Sequence, residues 1–107
     1  MKTLFWGLGM PDRARQLTRR YIVRGRVQGV GFRWFVEKEA SEIGVVGWVR
    51  NNENSTVEVL ATGTSEQLSA LHRALREGPR AARVDEVEVS EAQPVEGLKS
   101  FGIEGAF

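Results

Sequence analysis

The chain has 107 residues, which is enough for one compact domain and too few for two well-formed cores. Hydrophobic residues make up 41% and charged residues 27% of the composition, as in folded globular proteins. There is no cysteine, which excludes disulfides and thiolate nucleophiles, and the one histidine excludes a multi-histidine zinc site, leaving only a carboxylate-based metal site.

The charges are unevenly distributed along a chain whose formal net charge is only +1. Residues 1–36 hold eight Lys or Arg and one Asp, whereas residues 37–107 hold seven Lys or Arg and thirteen Asp or Glu. An anionic ligand should therefore prefer the first third of the chain. The alternative is that opposite charges mix on the folded surface, because linear charge says little about a fold.

Residues 1–18 are predicted to form a loosely attached N-terminal extension, followed by one domain over residues 19–107. The apolar run at residues 4–8 is shorter than the hydrophobic region of a secretory signal and far shorter than a membrane span. Met10 offers a second translation start, and a vector-derived segment fits the same residues. The lack of a targeting signal and of cysteine predicts a cytoplasmic protein.

From residue 20 onward, alternation and turn residues predict a first strand over residues 20–27, in which Gly25 marks a bulge or a close approach of backbone. A glycine-rich stretch follows, and apolar residues at helical spacing then predict a helix that ends at Gly44. Strands over residues 45–50 and 56–61 should form an antiparallel hairpin. The apolar face of the helix comprises Phe32, Phe35, Val36, Ala40 and Ile43.

The second half of the chain predicts one more helix and two more strands. A capping box at residues 64–67 begins a helix with the apolar stripe Leu68, Leu71 and Leu75, which ends at Gly78. A strand over residues 84–89 follows, and Phe101 with Ile103 predicts a short final strand. The fold is therefore predicted to be an α+β, ferredoxin-like βαββαβ sandwich with two helices on one face of an antiparallel sheet.

The stretch GRVQGVGFR, residues 25–33, joins the first strand to the start of the first helix. Such a place offers unpaired backbone N–H groups and the positive end of a helix dipole, which suits an anion. Gly29 and Gly31 let successive N–H groups converge, and Arg33 can add a charge-assisted grip. From the residues alone, a phosphate cradle and a plain glycine-rich connection with a surface Arg both stay open, because the Walker pattern is absent.

Four further candidates each have a structural alternative. Asn51 follows the second strand, where Asn is commonly a turn residue, but an amide near the loop could also orient a water molecule. His72 lies one step past the apolar stripe and has no recognisable nucleophile, so it is predicted to be a surface or boundary residue. Trp34 and Trp48 are predicted to be packing residues, with a place in a pocket wall as the alternative.

Two stretches together resemble the signatures of the acylphosphatase family, namely GRVQGVGFR at residues 25–33 and GVVGWVRN at residues 44–51. The resemblance covers about residues 19–104, with the family's spacing between the stretches and the same predicted order of elements. It implies an enzyme that hydrolyses acyl phosphates to a carboxylate and inorganic phosphate without a metal or cofactor.

The resemblance also implies roles for particular residues. Arg33 would bind the phosphate and Asn51 would orient the attacking water. Inorganic phosphate would be both product and competitive inhibitor, and we expect a monomer with no nucleic-acid or membrane partner. The phosphate loop would be formed by the backbone of Gln28, Gly29, Val30, Gly31 and Phe32.

Two rival functions and one chemical constraint complete these expectations. An RNA-binding module should carry exposed aromatics on its central strands, and residues 56–61 contain none. A domain of a larger maturation enzyme should be accompanied by zinc-finger cysteines or further domains, which this sequence lacks. No general base is evident, so positioning and charge stabilisation should dominate, with a substrate phosphate oxygen accepting the proton of the water.

Overall fold

The computed structural model describes residues 15–105. Most of the predicted N-terminal extension, including Met10, lies outside the described residues, but Leu17 and Thr18 belong to the first strand. The order of the described elements is the one predicted from the sequence. They are β1 (Leu17–Arg26), α1 (Phe32–Ile43), β2 (Val46–Asn51), β3 (Val57–Gly63), α2 (Ser65–Glu77), β4 (Arg83–Glu91) and β5 (Phe101–Glu104).

The strands form a five-stranded sheet in the order β4-β1-β3-β2-β5. The first four strands in this order are antiparallel to their neighbours, as predicted. The additional short strand, β5, had no predicted direction; it runs parallel to β2 and makes the sheet mixed. The sheet edges are β4, which exposes the acidic side chains of Asp85, Glu86, Glu88 and Glu91, and the four-residue β5.

Three strands, β1, β3 and β4, are longer than the sequence pattern predicted. β1 begins three residues before the predicted start, because Leu17 and Thr18 pair with Gly63 and Thr62 of β3. The hydroxyl oxygens of Thr18 and Thr62 lie 2.7 Å apart across this pairing. Likewise β4 extends to Glu91, which pairs with Arg19 of β1. These polar ends interrupt the apolar alternation, so their strand conformation comes from cross-strand pairing.

Both helices pack their apolar stripes on the same face of the sheet. α1 buries Phe32, Val36 and Ala40, and Gly44 ends it with an N–H donated to the Ala40 carbonyl at 2.9 Å. The predicted capping box of α2 is present, since the Thr64 side chain accepts from the Gln67 N–H and the Gln67 side chain accepts from the Thr64 N–H.

The core lies between the helices and the sheet. Leu68, Leu71 and Leu75 of α2 are fully buried there beside Tyr21 of β1, whose hydroxyl donates to the Leu68 carbonyl at 3.3 Å. Burial of each leucine side chain contributes about 1.5–3 kcal/mol to folding. The core therefore fixes α1 and the sheet as a rigid support for the segments that connect them.

Candidate active site

A cavity of about 170 Å³ lies at the junction of the β1–α1 loop and the end of β2. The topology explains this junction. β1 and β2 are both antiparallel to β3, so they run in the same direction, and their last residues lie at the same end of the sheet. Val57 of β3 pairs with Val23 on one side and with Asn51 on the other. The cavity is lined by Val27, Gly29, Gly31, Phe32, Arg33, Trp34 and Asn51.

The loop that forms one wall depends on two glycines with left-handed backbone angles. The φ angles are 74° at Gly29 and 78° at Gly31, and a Cβ atom at either position would meet nothing within 4 Å. The requirement for glycine is therefore conformational, because other residues rarely adopt such angles. This conformation turns the backbone toward the cavity, as in the N–H nests that bind anions.

The N-terminus of α1 begins at this loop without a side-chain cap. Gly31 occupies the N-cap position and offers no side chain, and the first turn contains no acidic residue. The N–H groups of that turn and the positive end of the helix dipole are therefore available to an external anion.

Arg33 occupies the first turn of α1, where a cation is unfavourably placed relative to the helix dipole. Within residues 15–105 its guanidinium has neither a hydrogen-bond nor an ion-pair partner. The side chain nevertheless lines the cavity beside Gly29 and Gly31. A bound anion would compensate both the helix dipole and the guanidinium charge, so the position of Arg33 favours an anion in this cavity.

Asn51 reaches the same cavity from the end of β2. Its Oδ1 atom is buried and has no hydrogen-bond partner in the described part of the chain. Leaving a buried acceptor unpaired costs about 1–3 kcal/mol. The sequence prediction that Asn51 could lie near the loop is thus met by the geometry, and its unpaired Oδ1 atom can accept a hydrogen bond from a small ligand or water.

Gln28 connects the two walls of the site through its side chain. Its Nε2 atom donates to the carbonyl oxygens of Asn52 and Thr56, both at 2.9 Å. Sequence reasoning assigned Gln28 only a backbone role and missed this contact, because the acceptors lie 24 and 28 residues away along the chain. The amide therefore ties the β1–α1 loop to the turn that follows Asn51.

The turn after Asn51 is held by its own hydrogen bonds. The Asn52 backbone N–H donates to the Thr56 carbonyl at 2.9 Å, and the Asn52 side chain donates to the Thr56 hydroxyl at 3.0 Å. The same hydroxyl donates to Oδ1 of Asn54 at 2.7 Å. The β2–β3 turn is consequently a rigid anchor for Gln28 and for the end of β2.

The two tryptophans that the sequence left undecided have different environments. The Trp34 side chain lines the cavity and is 71% exposed. Trp48 lies on the helix-free face of the sheet, where the Arg50 guanidinium stacks 4.7 Å from its ring centre. Trp34 is therefore part of the cavity wall, contrary to its prediction as a packing residue, whereas Trp48 packs with its neighbour.

The helix-free face of the sheet has a carboxylate near its centre. Glu58 of β3 accepts hydrogen bonds from Arg20 Nε at 2.8 Å and from Arg50 Nη2 at 3.1 Å, and its side chain is only 10% exposed. Burial alone would raise the pKa of Glu58, but the hydrogen bonds from Arg50, Arg20 and Asn52 and the charge of Arg50 lower it overall. A paired, buried carboxylate there is unlike the aromatic platform of an RNA-binding sheet.

His72 lies in a different and larger groove of about 480 Å³ between α2 and β4. Its ring packs edge-on against Tyr21 with 5.9 Å between ring centres. Burial lowers its pKa, and so do the charges of Arg76 and Arg19. The structure does not bring His72 to the cavity of Arg33 and Asn51, in agreement with its prediction as a boundary residue.

Two general features of the described chain bear on the kind of site. No group of three or more His, Asp or Glu side chains within residues 15–105 is placed to hold a metal ion. None of the described helices has the length and apolar character needed to cross a membrane.

Together, the fold and the cavity define a small ferredoxin-like domain with a site suited to a phosphate-sized anion. Comparison with known families makes the assignment specific. The acylphosphatase family model matches residues 19–103, and the chain belongs to this family.

Individual relatives agree with this assignment. The acylphosphatase of Koribacter versatilis (strain Ellin345) is 59% identical over 90 residues, which is 84% of this chain and 82% of that protein. The crystal structure of acylphosphatase from Bacillus subtilis has a TM-score of 0.79 and 40% identity, covering 83% of this chain and 99% of that one. The predicted family, ferredoxin-like fold and acylphosphatase enzyme class are confirmed.

A larger protein contains a similar domain. Full-length HypF, in its phosphate- and nucleotide-bound form, matches with a TM-score of 0.78 and 33% identity. The match covers 86% of this chain but only 12% of HypF. The likeness is therefore to one part of that protein.

Proposed function

We propose that this chain hydrolyses the carboxyl–phosphate bond of acyl phosphates without a metal ion, using Arg33 and the backbone of residues 28–32 to bind the phosphate and Asn51 to orient the attacking water. The observation that carries this proposal is the content of one small cavity. Three groups meet there that have no partner among residues 15–105: the Arg33 guanidinium, the uncapped N-terminus of α1 and the Oδ1 atom of Asn51.

The phosphate end of the substrate fits the loop side of the cavity. The N–H groups around Gly29 and Gly31 can donate to two phosphate oxygens, while the fork of Arg33 can donate to a third. Because these donors are held by the rigid start of α1, they are arranged before the substrate arrives. Such preorganised donors stabilise the charge that spreads over the equatorial oxygens in the transition state.

The attacking water fits the β2 side of the cavity. Its first O–H group would donate to the orphaned Oδ1 of Asn51, which fixes the direction of its lone pairs. Its second O–H group would donate to a phosphate oxygen. The water would then be held close to phosphorus, which removes much of the entropic cost of bringing the two reactants together.

The proposed reaction is a single displacement at phosphorus. As the water oxygen forms its bond to phosphorus, the bond between phosphorus and the acyl oxygen breaks, and its electron pair leaves on the carboxylate. The proton of the water passes to a phosphate oxygen, giving a carboxylate and inorganic phosphate. The described cavity lining contains no carboxylate or histidine, so the mechanism relies on the good leaving group and a loose transition state.

The groups proposed to bind the substrate phosphate should also bind the product, inorganic phosphate. Inorganic phosphate would occupy the donors that hold the substrate phosphate and would act as a competitive inhibitor. One chain supplies all of the proposed groups, and we expect a monomer acting on a small molecule in the cytoplasm, without a nucleic-acid or membrane partner.

Hydrolysis of benzoyl phosphate, followed by ultraviolet absorbance with a chelator present, tests the proposal. Parent protein should turn over the substrate, and Asn51→Ala should lower kcat by about a hundred- to a thousandfold, the usual effect of losing a preorganised polar group at a reacting centre. Inorganic phosphate should still bind the variant, because the loop and Arg33 are unchanged.

Asn54→Ala is the matched control for this experiment. It makes the same chemical change in the adjacent turn, where Asn54 accepts from Thr56 and does not line the cavity. We expect it to cost stability and to lower kcat far less than Asn51→Ala does, because the hydrogen bonds of Asn52 still hold the turn. Equal kcat values for Asn51→Ala and the parent would contradict the water-orienting role, and loss of parent activity in chelator would contradict the metal-free mechanism.

A further inference from the structure

Trp34 is an exposed aromatic residue that the proposed chemistry leaves unused. Its side chain is 71% exposed, although it directly follows Arg33 in the first turn of α1. The buried stripe of this helix consists of Phe32, Val36 and Ala40, and it lies on another face. Trp34 contributes little to the core, and a large exposed apolar side chain at a cavity is a common mark of a binding surface.

The groups that line the cavity determine where the acyl group must lie. The loop glycines, Arg33 and Asn51 are the groups proposed to hold the phosphoryl group and the attacking water. The phosphoryl group and the water then occupy the polar part of the cavity. The acyl part of the substrate must therefore extend toward the opening of the cavity, where it meets whatever apolar surface the rim provides.

Trp34 provides that apolar surface. Among the side chains that line the cavity, Val27 and Phe32 are each 1% exposed and present almost no surface to a ligand. The proposed function commits Arg33 to the phosphate and Asn51 to the water. Among the described residues that line the cavity, the indole of Trp34 is then the exposed apolar face that remains next to the phosphate position.

We infer that Trp34 determines acyl-group specificity, by offering its indole as a flat apolar surface that favours planar aromatic acyl phosphates over small aliphatic ones. This inference rests on the proposed function, because it places the phosphate at Arg33 and the loop. Contact between two aromatic groups should favour the aromatic substrate about three- to tenfold. Because the contact lies away from the reacting bond, it should be equally strong in the ground state and the transition state, and should appear in KM more than in kcat.

Steady-state kinetics with benzoyl phosphate and acetyl phosphate test the inference. Trp34→Ala should raise KM for benzoyl phosphate about three- to tenfold with kcat nearly unchanged, and should leave both constants for acetyl phosphate near the parent values. Trp34→Phe should restore most of the preference because it keeps an aromatic face. Trp34→Leu should restore less, since it keeps apolar area without a planar ring.

The outcomes separate this inference from the proposed function. Turnover of both substrates with the same KM ratio in the parent and in Trp34→Ala would overturn the role of Trp34 and leave the hydrolase intact. If the folded parent hydrolyses neither substrate, the proposed function fails. Calorimetric binding of phenylphosphonate and of inorganic phosphate then decides the point: a fall in their affinity ratio in Trp34→Ala would support an aromatic subsite, and an unchanged ratio would overturn it.

Discussion

The cavity between the β1–α1 loop and β2 and the groove between α2 and β4 differ in the state of their polar groups. The groove is larger, at about 480 Å³ against about 170 Å³. Its carboxylates have partners, since Asp85 accepts from Arg83 at 3.0 Å and Glu86 lies 3.7 Å from Arg24. In the smaller cavity, Arg33 and Asn51 Oδ1 have none among the described residues. The buried, unpaired Oδ1 atom of Asn51 therefore distinguishes the proposed site better than volume does.

The largest expected effect is at Arg33. Arg33→Ala removes the cationic partner of the phosphate, so kcat/KM for benzoyl phosphate should fall by at least about a hundred- to a thousandfold. Inhibition by inorganic phosphate should weaken as well, because the same guanidinium binds the product. Arg33→Lys keeps the charge without the planar fork and should recover only part of the activity. Parent-like phosphate inhibition in Arg33→Ala would remove this residue from the site.

The next effect tests how the two walls of the cavity are held together. Gln28→Glu keeps the shape of the side chain but replaces the Nε2 donor with an oxygen that faces the carbonyls of Asn52 and Thr56. Both carbonyls keep one backbone donor, the Ser55 N–H for Asn52 and the Asn52 N–H for Thr56, but each loses its hydrogen bond from Gln28. At about 0.5–1.5 kcal/mol for each lost bond, the free energy of unfolding should fall by about 1–3 kcal/mol. Urea denaturation measures this loss, and kcat should fall with it because the loop shifts relative to Asn51. Full activity would show that the loop holds its position without Gln28.

A smaller effect, on stability, is expected on the helix-free face of the sheet. Glu58→Gln weakens the contacts with Arg20 and Arg50, and should lower the free energy of unfolding by about 1–2 kcal/mol near neutral pH. The pKa of Glu58 is lower in the folded protein than in the unfolded chain. Its contribution to stability is therefore present above the unfolded value, about 4.3, and is lost as the pH falls through the folded value.

Urea denaturation at pH 6 and at pH 3 checks the direction of this linkage. The gap in stability between the parent and Glu58→Gln should be larger at pH 6 than at pH 3, because acid protonates the parent carboxylate and weakens the same contacts. A gap that widened in acid would contradict the lowered pKa.

The smallest effect is expected in the groove. His72→Gln changes a residue that packs against Tyr21 and does not line the cavity of Arg33. Its kcat and KM for benzoyl phosphate should stay within about twofold of the parent, since the usual contribution of a general acid or base is about a hundred- to ten-thousandfold. A large loss of kcat with intact folding would make the groove, rather than the smaller cavity, the place of the chemistry.

Much of the fold could be predicted because local signals agreed with tertiary packing. The apolar stripe of α2, its capping box and its end at Gly78 all appear in the structure. The ends of the strands were less predictable from the sequence, because Thr18 and Glu91 are strand residues through pairing with distant partners. The parallel direction of β5 is likewise set by the path of the chain across the sheet and not by the four residues that form it.

The site was predictable to the extent that its groups belong to contiguous signatures. The glycine-rich loop, Arg33 and Asn51 lie within two such stretches, and the structure brings them to one cavity. The side-chain role of Gln28 was not predictable, because its acceptors come from a turn that is close only after folding. The sequence left Trp34 open between a packing role and a place in the pocket wall, since helical spacing does not say which face of α1 meets the loop.

The acidic outer strand of the sheet has a consequence for behaviour at high protein concentration. An exposed sheet edge can recruit another chain through its free backbone groups and so begin aggregation. β4 carries Asp85, Glu86, Glu88 and Glu91 at exposed positions, so two copies approaching edge to edge would bring like charges together. The opposite edge, β5, offers only four residues to a partner strand. The sheet that supports the cavity thus also opposes aggregation, because its outer strand β4 repels a second copy of the same edge.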